Sequence, residues 1–283
     1  MKIEVKNLFY KYDGNDYFSL DDINTIINDK EFIAIIGQTG SGKSTFIQNL
    51  NALIIPSQGE VHIDDFVIKN KGKIKNIKEL RKKIGIVFQF PEYQLFEENI
   101  EKDILFGPKN FNIKCDDFKK LAINMLNLVG LNESFLDKSP FELSGGEKRK
   151  VAIAGILAFN PDVLILDEPT AGLDPKSANE MMDLFKKLNE QGKTIILVTH
   201  QMNHVLQYAS RVLAFKDAKL LADEIPLKLF SNSNLIESLK LDVPDVVKLT
   251  LLVSQKYPDI KKYEIKSIDD FVNAYQEVSG RWL

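Results

Sequence analysis

The chain is 283 residues long, and its 37 Lys and Arg against 40 Asp and Glu give a net charge of −3. This length predicts about two domains, and an apolar content of 44% at so small a charge excludes general disorder. The apolar runs are far shorter than the roughly 18 residues of a membrane-spanning helix. A lone cysteine, Cys115, and an N-terminus without a signal-peptide core favour a reducing cytosolic compartment.

The first predicted elements are antiparallel strands. Residues 2–27 and 60–68 alternate polar and apolar side chains, which is typical of half-buried strands. Four short runs that are apolar on both faces predict a parallel sheet covered by helices. These runs are Phe32–Ile36, Ile84–Phe88, Val163–Leu166 and Ile195–Val198. Ligands of such sheets bind at the carboxyl ends of the strands, where the polar residues of this chain follow.

Helical segments surround this predicted sheet. Residues from about 92 to 140 are helix-like and are interrupted by prolines, and the segment from about 220 to 283 predicts a small appended helical domain. Ser267 and Asp270 form a helix cap there, followed by Phe271, Tyr275 and Val278 on one helix face.

A phosphate-binding loop follows the first apolar run. Gly37–Ser44 fits the pattern G-x-x-x-x-G-K-[ST], in which glycines let backbone N–H groups turn toward phosphate oxygens. A glycine-rich turn that binds nothing is the alternative. We expect Lys43 to reach the β- and γ-phosphates, the Ser44 hydroxyl to ligate Mg²⁺ and Thr45 to contact the α-phosphate. The nucleotide-binding residues predicted from this stretch are Gly37, Gln38, Thr39, Gly40, Ser41, Gly42, Lys43, Ser44 and Thr45.

Two acidic residues follow the third apolar run. Asp167 is predicted to hold Mg²⁺, since a carboxylate at a strand end beside a phosphate loop is suited to that role. Glu168 is predicted to act on the attacking water as a general base. A solvated acidic pair with no ligand is the structural alternative.

A second glycine-containing helix start lies at Leu143-Ser-Gly-Gly-Glu147. Ser144 and Glu147 have the spacing of a capping box, and Gly145 and Gly146 permit a ligand to approach the backbone. A helix N-terminus of this kind attracts anions. By itself the stretch would favour a simple well-capped helix, and its place in the order of motifs is what favours ligand binding.

These motifs, in this order, resemble the ATP-binding cassette (ABC) ATPase family over about residues 1–225. The resemblance implies an α/β fold: a P-loop NTPase core of the RecA-like type with an antiparallel β flank and an inserted helical subdomain. It implies a nucleotide-binding domain at 1–220, with the helical subdomain at about 92–155. It further implies a C-terminal helical domain of the dimerisation type at 221–283.

The resemblance also implies roles for single residues, with ATP and Mg²⁺ as cofactors. Tyr12 resembles the aromatic that stacks on adenine, although a half-buried strand aromatic is the alternative. Gln89 resembles the residue that senses Mg²⁺ and the lytic water, and His200 the one that contacts the γ-phosphate. In the family two subunits pair head to tail. Ser144, Gly145 and Gly146 of one subunit close on ATP held by the other, and Asp174 lies at that interface.

A closer resemblance is to the ATPase subunits of energy-coupling factor (ECF) importers of vitamins and other micronutrients, and within them to the second type. It rests on five stretches, namely 88–96, 103–108, 139–143, 154–157 and 197–202. It implies a peripheral protein on the cytoplasmic face of the cell membrane. The implied partners are a paralogous ATPase subunit in a pseudo-symmetric heterodimer, a transmembrane energy-coupling subunit and a substrate-binding membrane subunit.

Several questions stay open at this level. Phe90, Tyr93, Leu95 and Phe96 predict either a groove for the transmembrane subunit or ordinary packing. An ordinary ABC or cobalt/nickel importer is the nearest alternative, while a phosphate-transferring kinase would have no use for the Leu143–Glu147 stretch. An ABC ATPase that acts on nucleic acid or the ribosome is the main alternative from another class, and the basic run at residues 69–83 is its best support. A solvated loop explains that run better, so no nucleic acid is expected as a partner.

The sequence departs from the family pattern at two places. Glu147 stands where Gln is usual, which still completes the capping box. Asp217-Ala-Lys219 replaces a glycine-containing turn, which puts the geometry of that hairpin in question.

Overall fold

The computed structural model describes residues 1–71, 74 and 76–280. In this part of the chain, strands form a four-stranded antiparallel sheet, in the order β2-β1-β4-β5, and a six-stranded sheet, in the order β10-β9-β3-β8-β7-β6. The strands are β1 (Ile3–Tyr10), β2 (Leu20–Ile27), β3 (Phe32–Ile36), β4 (Gln58–Ile63), β5 (Phe66–Lys69), β6 (Ile84–Val87), β7 (Val163–Asp167), β8 (Thr194–Val198), β9 (Arg211–Lys216) and β10 (Lys219–Glu224).

Helices lie on both sides of the larger sheet. They are α1 (Lys43–Leu50), α2 (Ile77–Lys83), α3 (Ile100–Asn110), α4 (Phe118–Leu128), α5 (Gly145–Leu157), α6 (Pro175–Glu190), α7 (Met202–Tyr208), α8 (Pro226–Phe230), α9 (Ser233–Leu239), α10 (Asp245–Ser254) and α11 (Ile268–Ser279). Short 3₁₀ turns occur at Pro91–Gln94, Glu133–Phe135, Pro140–Glu142 and Pro258–Lys262. The predicted α/β core with an antiparallel flank and helical additions is confirmed.

The four apolar runs are β3, β6, β7 and β8, and they pair in parallel. Alternate side chains of β3 enter two different cores. Ala34 and Ile36 pack with the helical side, whereas Ile33 and Ile35 pack with α1 and the antiparallel sheet. Burial on both faces explains why these strands are apolar without alternation. Their carboxyl ends meet at one edge of the sheet, which is where the predicted site residues follow.

The C-terminal helices share the core of the cassette. Leu229, Leu239, Val247 and Ile260 are buried in the same apolar cluster as the helical side of the larger sheet. The division predicted after residue 220 stays a prediction, and β10 runs across that position. The predicted cap of α11 is confirmed, since Ser267 forms a capping box with Asp270 there.

The β9–β10 hairpin keeps a tight turn without glycine. Asp217 and Ala218 both have positive φ, at 47° and 65°, as a two-residue turn of the type I′ class requires. The carbonyl of Ala218 accepts a 2.8 Å hydrogen bond from the backbone N–H of Asp21, which ties the turn to the antiparallel flank. The unusual Asp-Ala pair therefore changes the residue types of this turn but not its geometry.

Some members of the basic run near α2 make local contacts. Lys83 lies 3.4 Å from Asp64, and Arg81 donates to the carbonyl of Ala52. Lys73 and Lys75, which belong to the same run, lie outside the described residues. The paired members follow the ordinary pattern of a solvated surface.

Candidate functional site

The P-loop, Gly37–Ser44, joins β3 to α1. Gly37 and Gly42 have φ of 142° and 107°. A Cβ on Gly37 would lie 2.2 Å from the carbonyl oxygen of Phe215, and one on Gly42 would lie 2.6 Å from that of Ser19. Glycine is therefore required at both positions by conformation and by close packing.

Lys43 lies across this loop. Its Nζ donates 2.8 Å hydrogen bonds to the carbonyl oxygens of Gly37 and Gln38. Burial lowers the pKa of Lys43, and the charges of Glu168 and Asp167 oppose that shift. Two carbonyl acceptors use two of the three ammonium protons, which leaves one donor for a phosphate oxygen.

Asp167 is the last residue of β7, and Glu168 follows it at a positive φ of 50°. The backbone N–H of Glu168 donates to the carbonyl of Val198, which fixes this strained turn to the neighbouring strand. Burial, followed by the charge of Glu168, raises the pKa of Asp167 to about 6, while Lys43 acts in the opposite direction. A cation bound here would remove much of the cost of ionising this carboxyl group.

His200 follows β8 and meets Glu168. Its Nδ1 lies 2.9 Å from Oε1 of Glu168, and the Thr199 hydroxyl lies 3.5 Å from Oε2. The Glu168 side chain is only 13% exposed, whereas that of His200 is 73% exposed. A sheltered carboxylate is thus oriented by polar neighbours beside a ring that is open to a ligand.

These groups surround one cleft of about 460 Å³. Of the predicted residues, its lining contains Tyr12, Thr39, Gly40, Gly42, Lys43, Ser44, Thr45, Gln89, Asp167, Glu168 and His200. The hydroxyl of Tyr12 lies 3.3 Å from that of Thr45. Gly37 and Gln38 line an adjoining opening, and Ser41 is buried beneath the loop. The cleft also contains Asn15, Tyr17 and Ser19, which belong to no motif and carried no signal in the sequence.

The signature stretch, Leu143–Glu147, is not part of that cleft. Ser144 caps α5, and the predicted capping box with Glu147 is confirmed. Oε2 of Glu147 accepts hydrogen bonds from the N–H and the hydroxyl of Ser144, at 2.8 and 2.7 Å, and these bonds lower the pKa of Glu147. Ser144 and Gly145 are exposed, and a Cβ on Gly145 or Gly146 would meet no atom within 4 Å.

Helices in the described ranges are too short or too polar to cross a membrane. Groups of three or more His, Cys, Asp or Glu side chains placed to hold a metal do not occur in those ranges either.

Comparison with known proteins agrees with this geometry. The family model for ABC transporters matches residues 20–171. The energy-coupling factor transporter ATP-binding protein EcfA2 of Staphylococcus saprophyticus is 48% identical over 97% of this chain and 96% of its own. The structure of cbiO1 from Clostridium perfringens, part of the ABC transporter complex cbiONQ, is 38% identical with a TM-score of 0.73, covering 87% of this chain and 97% of its own.

A dimeric, post-hydrolysis ATP-binding cassette with bound ADP and Pi is also similar, at 32% identity and a TM-score of 0.72, covering 79% of this chain and 98% of its own. The chain therefore belongs to the ABC transporter family, among the ATP-binding proteins of energy-coupling factor transporters. The resemblance seen in the motifs is confirmed.

Proposed function

We propose that this chain is the ATP-binding and ATP-hydrolysing subunit that energises an ECF-type importer of vitamins or other micronutrients. One observation carries the proposal. Lys43, Asp167, Glu168 and His200 line a single cleft, whereas the signature stretch does not line it and is exposed at Ser144 and Gly145. In this proposal the P-loop cleft is one half of an ATP site. The exposed signature stretch is the other half of a second ATP site, whose P-loop belongs to another subunit.

ATP binds in the 460 Å³ cleft with its phosphates on the P-loop. The backbone N–H groups of the loop, the start of α1 and the free donor of Lys43 bind the phosphate oxygens. Tyr12 is 39% exposed at the mouth of the cleft and stacks on the adenine ring. Base–aromatic stacking contributes roughly 1–3 kcal/mol, so the P-loop supplies most of the affinity.

The Ser44 hydroxyl, Gln89 and Asp167 line the same cleft and are the groups that would hold Mg²⁺ there. The raised pKa of Asp167 fits this role, because a buried carboxylate beside another acid is stabilised by a cation. When bound, the ion neutralises part of the phosphate charge. Glu168 accepts the proton of the attacking water, and His200 contacts the γ-phosphate beside it.

A second ATPase subunit completes the site. Ser144, Gly145 and Gly146 stand at an exposed helix start, where free N–H groups attract an anion. They belong on the ATP of a paralogous subunit, whose own signature stretch covers the P-loop of this chain. The similar cassette that is dimeric with ADP and Pi supports this arrangement. Binding of ATP brings the subunits together, and hydrolysis releases them.

A group of exposed aromatic rings, Phe90, Tyr93, Phe96 and Phe106, is the surface proposed for the transmembrane subunit. We call it the aromatic patch. These rings are 40%, 84%, 61% and 47% exposed, and they pair as Phe90 with Tyr93 and Phe96 with Phe106. Leu95, which the sequence grouped with them, packs against the core instead. Contact of this patch with membrane subunits places the chain at the cytoplasmic face of the membrane.

Affinity purification from solubilised membranes tests this proposal. Mass spectrometry should find a paralogous ATPase, one energy-coupling membrane subunit and a small substrate-binding membrane protein with the tagged chain. Phe96→Ser should reduce recovery of the membrane subunits, because it removes an exposed apolar contact, while Leu53→Ser, at another exposed apolar residue, should not. Recovery of no membrane protein with the unmodified chain would contradict the proposal.

A further inference from the structure

Arg149 is a buried charge that the proposed chemistry does not use. It lies on α5, five residues after Ser144, and its side chain is only 4% exposed. Burying a guanidinium is costly unless it is paired and fully hydrogen-bonded. The contacts of Arg149 therefore identify the segments that are joined to α5.

Arg149 pairs with the turn that follows Gln89. Its Nε and Nη2 donate to the two carboxylate oxygens of Glu92, at 3.1 and 2.8 Å. The guanidinium carbon also lies 5.8 Å from the ring centre of Phe90. Phe90 has a positive φ of 54°, an unfavourable conformation for an aromatic residue, which these contacts help to maintain.

The remaining guanidinium nitrogen reaches the loop of the catalytic acid. Nη1 of Arg149 donates to the carbonyl of Ala171. The N–H of Ala171 in turn donates to the carbonyl of Glu168 at 3.1 Å. The same short loop ends at Asp174, which caps α6.

We propose that Arg149 is the positioning residue that makes the Gln89 turn, the start of α5 and the Glu168–Asp174 loop move as one unit. A shift of the aromatic patch then reaches Glu168 in this subunit's own site. Through α5 it also reaches Ser144 at the site of the second subunit. The proposal rests on the proposed function, since it concerns how that ATP site is coupled to the membrane surface.

The planar fork of arginine is what this role requires. Two guanidinium nitrogens donate to the Glu92 carboxylate, and the third donates to the Ala171 carbonyl on another loop. Because the guanidinium is planar and rigid, the directions of these three bonds are fixed relative to one another. A lysine at the same place keeps the charge but has a single nitrogen, so it cannot hold both loops in this geometry. Arg149→Lys therefore removes the connection between the two loops while it keeps the positive charge.

The test uses the full chain, purified with the subunits that accompany it. Arg149→Lys should lower kcat for ATP hydrolysis by about 10- to 100-fold, because small displacements of catalytic groups have effects of that size. The KM for ATP should stay within about threefold, since the P-loop is untouched. Lys150→Gln is the matched control. Lys150 is the next residue on α5. Within the described residues its side chain makes no hydrogen bond or ion pair to the Gln89 turn or to the Glu168–Asp174 loop, so this variant should retain wild-type kcat.

Hydrogen exchange distinguishes linkage from general loosening. Arg149→Lys should speed exchange both in residues 88–96 and in residues 168–174. Glu92→Gln should affect mainly the first segment, because the bond from Arg149 to Ala171 remains. The double variant should lose less activity than the product of the two single losses, as expected for residues that act as a unit.

Wild-type kcat in Arg149→Lys, or faster exchange spread over the whole cassette, would overturn the proposal. Loss of ATP affinity parallel to the loss of kcat would also overturn it. Failure of the proposed function is a separate result, because it would appear as hydrolysis that does not depend on Glu168.

Discussion

The P-loop end and the signature end of this chain differ in how completely the chain builds them. At the P-loop end, Lys43 is held by two carbonyls and Glu168 lies 2.9 Å from His200. Lys43 is thus positioned by its own loop, and Glu168 and His200 position each other. At the signature end, Ser144 and Gly145 are exposed, and their described hydrogen bonds are those of the capping box and the first turn of α5.

This difference supports the proposal that a second subunit completes the ATP site. The P-loop cleft contains Glu168 but is open on one side. The exposed start of α5, which attracts anions, lies elsewhere on the chain. Two subunits paired head to tail would bring the helix start of each one onto the open cleft of the other. Within one chain, Arg149 connects α5, which begins at the signature stretch, to the Glu168–Asp174 loop of the P-loop cleft. A movement of one of these regions is therefore transmitted to the other.

The largest expected effect comes from Glu168, the proposed base at the P-loop end. Glu168→Gln keeps the size of the side chain but removes its capacity to accept a proton. We expect hydrolysis to fall by roughly two to four orders of magnitude. ATP binding should persist, because Lys43 and the P-loop are unchanged. A turnover assay beside calorimetric ATP titration measures both, and a near-wild-type rate would remove Glu168 from the role of base.

A smaller effect is expected on stability at the same end. The pKa of Asp167 is about 6 in the folded chain, against an ordinary value of 3.8. The folded state therefore binds more protons between these values, and stability falls as pH rises through this range. Asp167→Asn should remove that loss and stabilise the nucleotide-free chain at pH 7.5 by about 1–2 kcal/mol, allowing for partial solvent screening.

Thermal unfolding of both proteins at pH 5 and pH 7.5 measures this effect. The variant should gain more over the wild type at the higher pH. Equal gains at the two pH values, or a gain only at pH 5, would show that ionisation of Asp167 does not oppose folding. With Mg²⁺ and ATP present the order should reverse, because the variant has lost a proposed ligand of the ion.

The sheet and the P-loop end were predictable because their signals are local. Four strands are apolar on both faces, and each is followed directly by predicted site residues, such as Asp167 after Val163–Leu166. The capping boxes at Ser144 and Ser267 were equally clear, since a cap needs residues only three positions apart.

Other features depend on contacts between distant residues. Glu92 and Arg149 are separated by 57 positions, and nothing in either residue type predicts that they form an ion pair. The positive φ of Glu168 reflects the hydrogen bond of its N–H to Val198 on a neighbouring strand. Leu95 could not be told apart from Phe96 by hydrophobicity, yet one packs on the core and the other is exposed.

Photolabelling with ATP that carries an aryl azide on its γ-phosphate tests most directly whether two subunits share one nucleotide. This chain is used as Lys43→Ala, so that its own P-loop binds no ATP, and is assembled with the wild-type paralogous ATPase. Label carried by the paralogue's ATP should enter residues 143–149 of this chain, and disabling the paralogue's P-loop should abolish it. Labelling confined to the paralogue would contradict the shared site.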